Sequence, residues 1–94
     1  MGRIHKKNDD LILKGLKLAQ RGQYEDAIKT LKASTRLNPN DANVHYGLGL
    51  MYLLIGDRDA AMKEYEVLKT MDGRYWKKLK EFISSSDKYR MMVK

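Results

Sequence analysis

The chain has 94 residues, a hydrophobic content of 43% and a formal net charge of +7, so it forms one small domain near the lower size limit for an independently stable core. It contains no cysteine, which excludes disulfides, thiolate metal sites and cysteine nucleophiles. The first eight residues contain no apolar stretch, so we expect no signal peptide and a cytoplasmic protein.

The positive charge is concentrated at the two ends of the chain. Residues 9–72 contain 9 Lys and Arg against 10 Asp and Glu, whereas residues 73–94 contain 7 basic and 2 acidic residues. Solvated, solubilising ends are the simplest interpretation. The alternative is attraction to nucleic acid or to an anionic membrane surface.

Two helices are predicted in the first 40 residues. Apolar residues recur at helical spacing over 9–21, and Gly22 ends that helix because a residue without Cβ adopts positive φ readily. The second helix extends from about Tyr24 to Leu37, and Pro39 prevents its continuation. Asn40 or Asp41 is suited to cap the helix that follows.

A second pair of helices follows. The third helix, about 42–55, contains an uncharged run at 48–55, which is shorter than the roughly 20 residues that cross a membrane. It therefore indicates a helix that is buried on most of its circumference. Gly56 ends this helix, and Asp57 or Asp59 lies at the start of a fourth helix that reaches about Met71.

A fifth, amphipathic helix is predicted after Gly73. Trp76, Leu79 and Ile83 share one face, whereas the lysines near them lie mainly on other faces. We expect the three serines at 84–86 to end this helix, with Ser86 or Asp87 capping a short final turn.

The chain matches itself at a spacing of 34 residues. Gly15 recurs as Gly49, and other pairs at the same step include Gly22 with Gly56 and Ala27 with Ala61. A fixed period of this length is typical of stacked supersecondary units. Stacked units form an extended surface, and such surfaces usually bind a partner.

These residues resemble the tetratricopeptide repeat. The second unit carries Leu48-Gly49-x-x-Tyr52, and further matches in the two units are Ala61, Tyr65, Gly15, Leu18, Tyr24, Ala27, Leu31 and Pro39. The resemblance implies an all-α fold, a short right-handed α-solenoid of about five helices. It divides the chain into a basic leader (1–7), repeats at 8–41 and 42–75, and a C-terminal capping helix with a basic tail (76–94). The chain departs from the family pattern at Lys14, Ser34 and Gly73.

In this family the first helix of each repeat builds a concave, ligand-binding face. The register then implies a peptide-binding site on that face, formed by Ile12, Leu16, Asn43, Tyr46, Leu50 and Leu54. The same register adds Asp9, Ala19 and Leu53 to the face and places Trp76, Leu79 and Ile83 along its edge. Ile12, Leu16 and Leu50 are among the residues at or near the places where better-known relatives carry the cationic and amide side chains of a carboxylate clamp. Asn43 and Lys80 alone would be a poor substitute, so we expect an apolar partner segment instead.

Three occupants of this face stay open at the level of sequence. A partner protein can fill it, a second copy can bury it in a homo-oligomer, or residues 84–94 can fold back over it. Our interpretation is an adaptor, scaffold or assembly module that binds an apolar peptide or helix, and self-association is the alternative.

A basic patch is predicted at Arg74, Lys77, Lys78 and Lys80, interleaved with aromatic residues. Such a pattern can bind nucleic acid, although Trp76 already has a structural role in the fifth helix, so we expect nucleic-acid binding to be the weaker hypothesis.

No catalytic, cofactor or metal site is predicted. His5 lies in the basic leader, and His45 has no acidic residue or histidine three or four positions further on. We interpret Asp9, Asp10, Glu64 and Glu66 as charges at helix starts or on solvated faces. We therefore expect a protein that is not an enzyme.

Overall fold

In a computed structural model, the chain is described for the backbone of residues 2–71 and 73–93 and for the side chains of residues 8–71 and 73–87. This part of the chain forms five helices, α1 (Gly2–Gln20), α2 (Tyr24–Leu37), α3 (Ala42–Leu54), α4 (Arg58–Lys69) and α5 (Tyr75–Val93). No strand occurs within it. The predicted all-α class, a helical-repeat solenoid, is confirmed.

The turn inside each helix pair repeats the same chemistry. Gly22 and Gly56 have φ values of 79° and 83°, which lie in the left-handed region that glycine adopts without steric strain. The side chain of Asp41 accepts a hydrogen bond from the Asn43 amide at the start of α3, and that of Asp57 accepts one from the Ala60 amide at the start of α4. The predicted helix stops are confirmed, and the structure identifies Asp41 and Asp57 as the capping residues.

Neighbouring helices pack in chain order. Helix α1 packs against α2, α2 against α3 and α3 against α4, and α5 packs against both α3 and α4. One apolar core runs through the stack, formed by Ile28, Leu31, Val44, Leu48, Tyr52, Ala61, Leu68, Leu79 and Ile83.

Helix α5 closes the end of the core. Leu79 is fully buried, and a Cβ atom on Gly49 would lie only 2.6 Å from the Leu79 Cδ2 atom. Glycine at position 49 therefore allows α5 to approach α3 closely enough to bury Leu79 and Ile83. Burying a leucine side chain stabilises a fold by about 2 kcal/mol. The prediction that Leu79 and Ile83 flank the binding face is wrong, because this close approach turns both side chains into the core.

Helix α5 also continues beyond its predicted end. The three serines at 84–86 lie inside it, because contacts with the rest of the fold stabilise this segment. The Arg58 guanidinium donates two hydrogen bonds to the Asp87 carboxylate, at 2.8 and 2.9 Å, and these bonds raise the pKa of Arg58. Asp87 thus pairs with α4 rather than capping a final turn. The backbone of residues 84–93 thus continues α5 as one helix and does not reverse direction after Ile83.

Helix α1 begins earlier than predicted. Its backbone is helical from Gly2, so the segment predicted as a basic leader continues the first helix. The side chains of residues 1–7, including His5, lie outside the described residues, as do those of residues 88–94.

Two buried polar pairs join helices within the repeats. The Ser34 hydroxyl of α2 donates a hydrogen bond to the Asn8 side-chain oxygen of α1, and both residues are buried. In the second unit, His45 Nδ1 lies 2.8 Å from Glu64 Oε1 of α4, and His45 Nε2 lies 2.8 Å from the Pro39 carbonyl oxygen. The interpretation of Glu64 as a solvated charge is wrong, since its side chain is 13% exposed and packs against His45.

Candidate functional site

An open concave surface lies between the second half of α3 and the middle of α5. This open cavity has a volume of about 850 Å³. Leu54 and Phe82 project into it from opposite walls and are 57% and 51% exposed. We call this cavity the α3–α5 groove, and its lining consists of Leu50, Met51, Leu53, Leu54, Ile55, Gly56, Phe82, Ser85 and Ser86.

The helical register explains why apolar side chains reach the groove. Helix α3 contains no charged side chain, and its buried face carries Val44, Leu48 and Tyr52. Leu50 and Leu54 are four residues apart on another face of α3. On this face the Leu50 side chain is half-buried and the Leu54 side chain is exposed. An exposed leucine beside half-buried apolar side chains, opposite an exposed phenylalanine, is typical of an interaction site.

Aromatic and basic side chains mark the other end of the surface between α3 and α5. The rings of Tyr46 and Tyr75 have centroids 5.2 Å apart, and the Lys78 Nζ atom lies 5.8 Å from the Tyr75 ring centroid. Arg74, Tyr75 and Lys78 line one small cavity. We call Arg74 and Lys78 the basic end. The pKa of the Tyr46 hydroxyl is raised, mainly by burial and further by the nearby Tyr75 and Glu81 side chains.

The structure brings together some of the predicted peptide-binding residues and separates others. Leu50 and Leu54 line the groove, and Tyr46 lies at the aromatic end. Ile12 is half-buried against the core, whereas Leu16 is 51% exposed on α1 and does not line the groove. Asn43 is exposed in the first turn of α3. That these residues bind a peptide stays a prediction.

The predicted basic residues are all exposed, and they lie in different surroundings. The Lys77 Nζ atom lies 5.4 Å from the centroid of the Trp76 ring, which itself packs against Tyr65 of α4. Lys80 lines a cavity beside Arg58 on the α4 side of the helix. Only Arg74 and Lys78 lie with Tyr75, next to α3.

Sequence reasoning missed the α5 wall of the groove. Phe82, Ser85 and Ser86 belong to it, and none of the three is among the residues predicted for the binding face. Phe82 follows Tyr75 by seven residues, which places both aromatic rings on one face of α5. This spacing is the signal in the sequence that could have identified the α5 wall.

The described part of the chain lacks two further kinds of feature. It contains no group of three or more histidine, aspartate or glutamate side chains arranged to hold a metal ion. None of its helices combines the length and the apolar character needed to span a membrane.

Comparison with known protein families identifies the family to which the chain belongs. One tetratricopeptide-repeat model matches residues 15–56 and a second matches residues 42–72, so together they span more than half of the chain. The chain belongs to the tetratricopeptide repeat family. Tetratricopeptide repeats are in general protein–protein interaction modules and are in general not enzymes.

A curated relative shares part of this tetratricopeptide-repeat sequence. Human aspartyl/asparaginyl beta-hydroxylase is 44% identical over 45 residues, which are 48% of this chain. The chain spans only 6% of that protein's length. The match therefore concerns a repeat-sized segment, and the hydroxylase activity in that protein's name is not carried over to this chain.

Proposed function

We propose that the protein is an adaptor or scaffold module that binds an apolar segment of a partner protein in the α3–α5 groove. The observation that carries the proposal is the convergence of Leu54 and Phe82, both more than half exposed, on one open cavity. Burying these two side chains against a partner removes a large apolar area from water, which is the dominant favourable term in association.

The shape of the groove supports an amphipathic helix as the bound segment. Its two walls are helices, and its lining is apolar except for the hydroxyls of Ser85 and Ser86 and the backbone. A helix presents apolar side chains at spacings of three, four and seven residues and satisfies its own backbone hydrogen bonds, so it suits a groove with few polar partners. A carboxylate clamp is not part of this proposal, because the groove lining has no cationic side chain.

The proposal describes a binding module, with no catalytic step assigned to any residue. We place it in the cytoplasm, since a cysteine-free small domain is compatible with a reducing compartment.

The test is a selection of displayed helical peptides on the full chain, followed by measurement of Kd by fluorescence anisotropy. Leu54→Glu should weaken the selected peptides at least about tenfold, because it loses apolar contact and places a charge in the groove. Leu54 is a better target than Leu50, which also packs against the core. Val67→Glu is the matched control, since Val67 is 37% exposed on α4 and lies outside the groove.

Helicity measured by circular dichroism should be the same for wild type and both variants. Peptides that bind Leu54→Glu as tightly as wild type would overturn the groove assignment. Concentration-dependent dimerisation in analytical ultracentrifugation, lost in Leu54→Glu, would favour the self-association alternative.

A further inference from the structure

The surface between α3 and α5 has two chemically different ends. Leu50, Leu54 and Phe82 make one end apolar, and Arg74 and Lys78 make the other end cationic beside two tyrosine rings. Both ends lie along the same pair of helices, because Tyr46 and Leu50 are one turn apart on α3, and Lys78 and Phe82 are one turn apart on α5.

The cations at the basic end have no carboxylate partner among the described side chains. Arg58 pairs with Asp87 and Lys69 with Glu66, but neither Arg74 nor Lys78 forms such an ion pair. Lys78 instead lies over the Tyr75 ring, at 5.8 Å from its centroid. These cations are therefore available to a negatively charged group of a ligand that already occupies the groove.

Glu81 places a negative charge next to the apolar end. It follows Lys78 by three residues and precedes Phe82, and its charge acts on the Tyr46 hydroxyl. A ligand carboxylate placed level with Phe82 would be repelled by Glu81, whereas one at the basic end would be attracted by Arg74 and Lys78.

The helix geometry fixes the distance between the two ends. Seven residues separate Tyr75 from Phe82 and eight separate Tyr46 from Leu54, which corresponds to about 10–12 Å along the helix axes. On a bound helix the same distance separates residues seven or eight positions apart, which again lie on one face.

We propose that the partner segment is a helix that carries an acidic residue seven or eight positions from an apolar residue, with the acid at Arg74 and Lys78 and the apolar side chain against Leu54 and Phe82. This inference rests on the proposed function, because it assumes that the groove holds a helix. It adds a chemical pattern by which a partner sequence is recognised.

The test uses the displayed helical peptide library, with all surface positions randomised, selected separately on wild type, Lys78→Glu and Lys80→Glu. Lys78 and Lys80 are exposed lysines on the same helix, but Lys80 lies on the α4 side, so the two substitutions are matched in charge. Wild type and Lys80→Glu should enrich Asp or Glu seven or eight positions from the apolar anchor and deplete acids next to the anchor. Lys78→Glu should lose that enrichment.

Binding measurements on individual peptides then show how much the acidic residue contributes to affinity. A peptide with the acid at the expected spacing should bind wild type about tenfold more tightly than its glutamine counterpart at about 0.05 M salt, and the difference should shrink at about 0.5 M salt. Lys78→Glu should abolish the difference, and Lys80→Glu should preserve it.

The possible outcomes separate this inference from the proposed function. Peptides that depend on Leu54 but show no acid preference overturn the inference and leave the groove assignment standing. If no peptide is enriched, both fail. A fluorescent single-stranded oligonucleotide that binds wild type and is lost in Lys78→Glu would assign the basic end to phosphates and would overturn the inference.

Discussion

The two repeats use the same helix pair but place their buried polar groups differently. In the first repeat, Asn8 of α1 bonds to Ser34 of α2. The positions 34 residues further on are Ala42 and Leu68, and Leu68 belongs to the apolar core. At this level of the helix pair, a hydrogen bond in one repeat thus corresponds to apolar packing in the other.

The second repeat reverses this arrangement. Its polar pair is His45 with Glu64, whereas the equivalent positions of the first repeat are Leu11 and Thr30. Thr30 satisfies its hydroxyl locally by donating to the Asp26 carbonyl oxygen. A buried polar group stabilises a fold only when it has a partner, so one member of either pair would be unsatisfied opposite the residue that the other repeat carries there. We infer that these pairs fix which helices associate and in which register.

The largest expected effect comes from replacing His45 with leucine, the residue at the equivalent position of the first repeat. His45→Leu leaves the half-buried Glu64 carboxylate without its imidazole partner, which should lower the free energy of unfolding by about 3 kcal/mol. Adding Glu64→Thr completes the first repeat's pair and should recover most of that loss. Urea unfolding at neutral pH, followed by circular dichroism, measures both. Equal stabilities of the single and double variants would show that the pair itself contributes nothing.

The reciprocal exchange in the first repeat should have a smaller effect. Ser34→Leu removes the donor to Asn8 and adds volume at a fully buried position, so it should reduce stability by about 2 kcal/mol. Asn8→Ala in the same chain reproduces the Ala42 and Leu68 pair and should restore part of the loss. A double-mutant cycle, built from urea unfolding curves of the same kind, gives the coupling free energy between positions 8 and 34. Strictly additive effects would contradict the comparison.

The smallest effect concerns Tyr46, whose equivalent in the first repeat is Ile12. Because burial, Tyr75 and Glu81 raise the pKa of Tyr46, the folded state holds this phenolic proton more strongly than the unfolded state does. Its contribution to stability is therefore complete below the ordinary tyrosine pKa and is lost as pH rises through the raised value. Ultraviolet titration should show a late-ionising phenol that disappears in Tyr46→Phe. Ile12→Val is the control that leaves this titration unchanged.

Sequence alone was sufficient for the features that depend on local chemistry. The glycine stops and the period of 34 residues each follow from a few residues and are found in the structure, and each cap is one of the two residues that the sequence offered for it. The family assignment needed no contact between distant residues, because the period itself is the signal.

Features that depend on distant residues could not be predicted in this way. His45 and Glu64 are 19 residues apart, so a search at three or four positions along one helix does not find them. The three serines at 84–86 disfavour a helix locally, but the burial of Ile83 and the pairing of Asp87 with Arg58 outweigh this preference. The helical spacing correctly places Leu79 on one face of α5 with Ile83. Whether this face points to the core or to the binding surface depends on the close approach of α5 to Gly49, which the spacing does not reveal.

The stacking order also determines how the molecule should open. Helix α1 packs mainly on one neighbour, α2, whereas α3 is enclosed by α2, α4 and α5. In a one-dimensional stack, local unfolding begins at the unit with the fewest neighbour interactions. Backbone amides of α1 should therefore exchange with deuterium first, while those of α3 should exchange last and report the free energy of complete unfolding. The wall of the groove that carries Leu50 and Leu54 thus belongs to the most persistent element of the molecule.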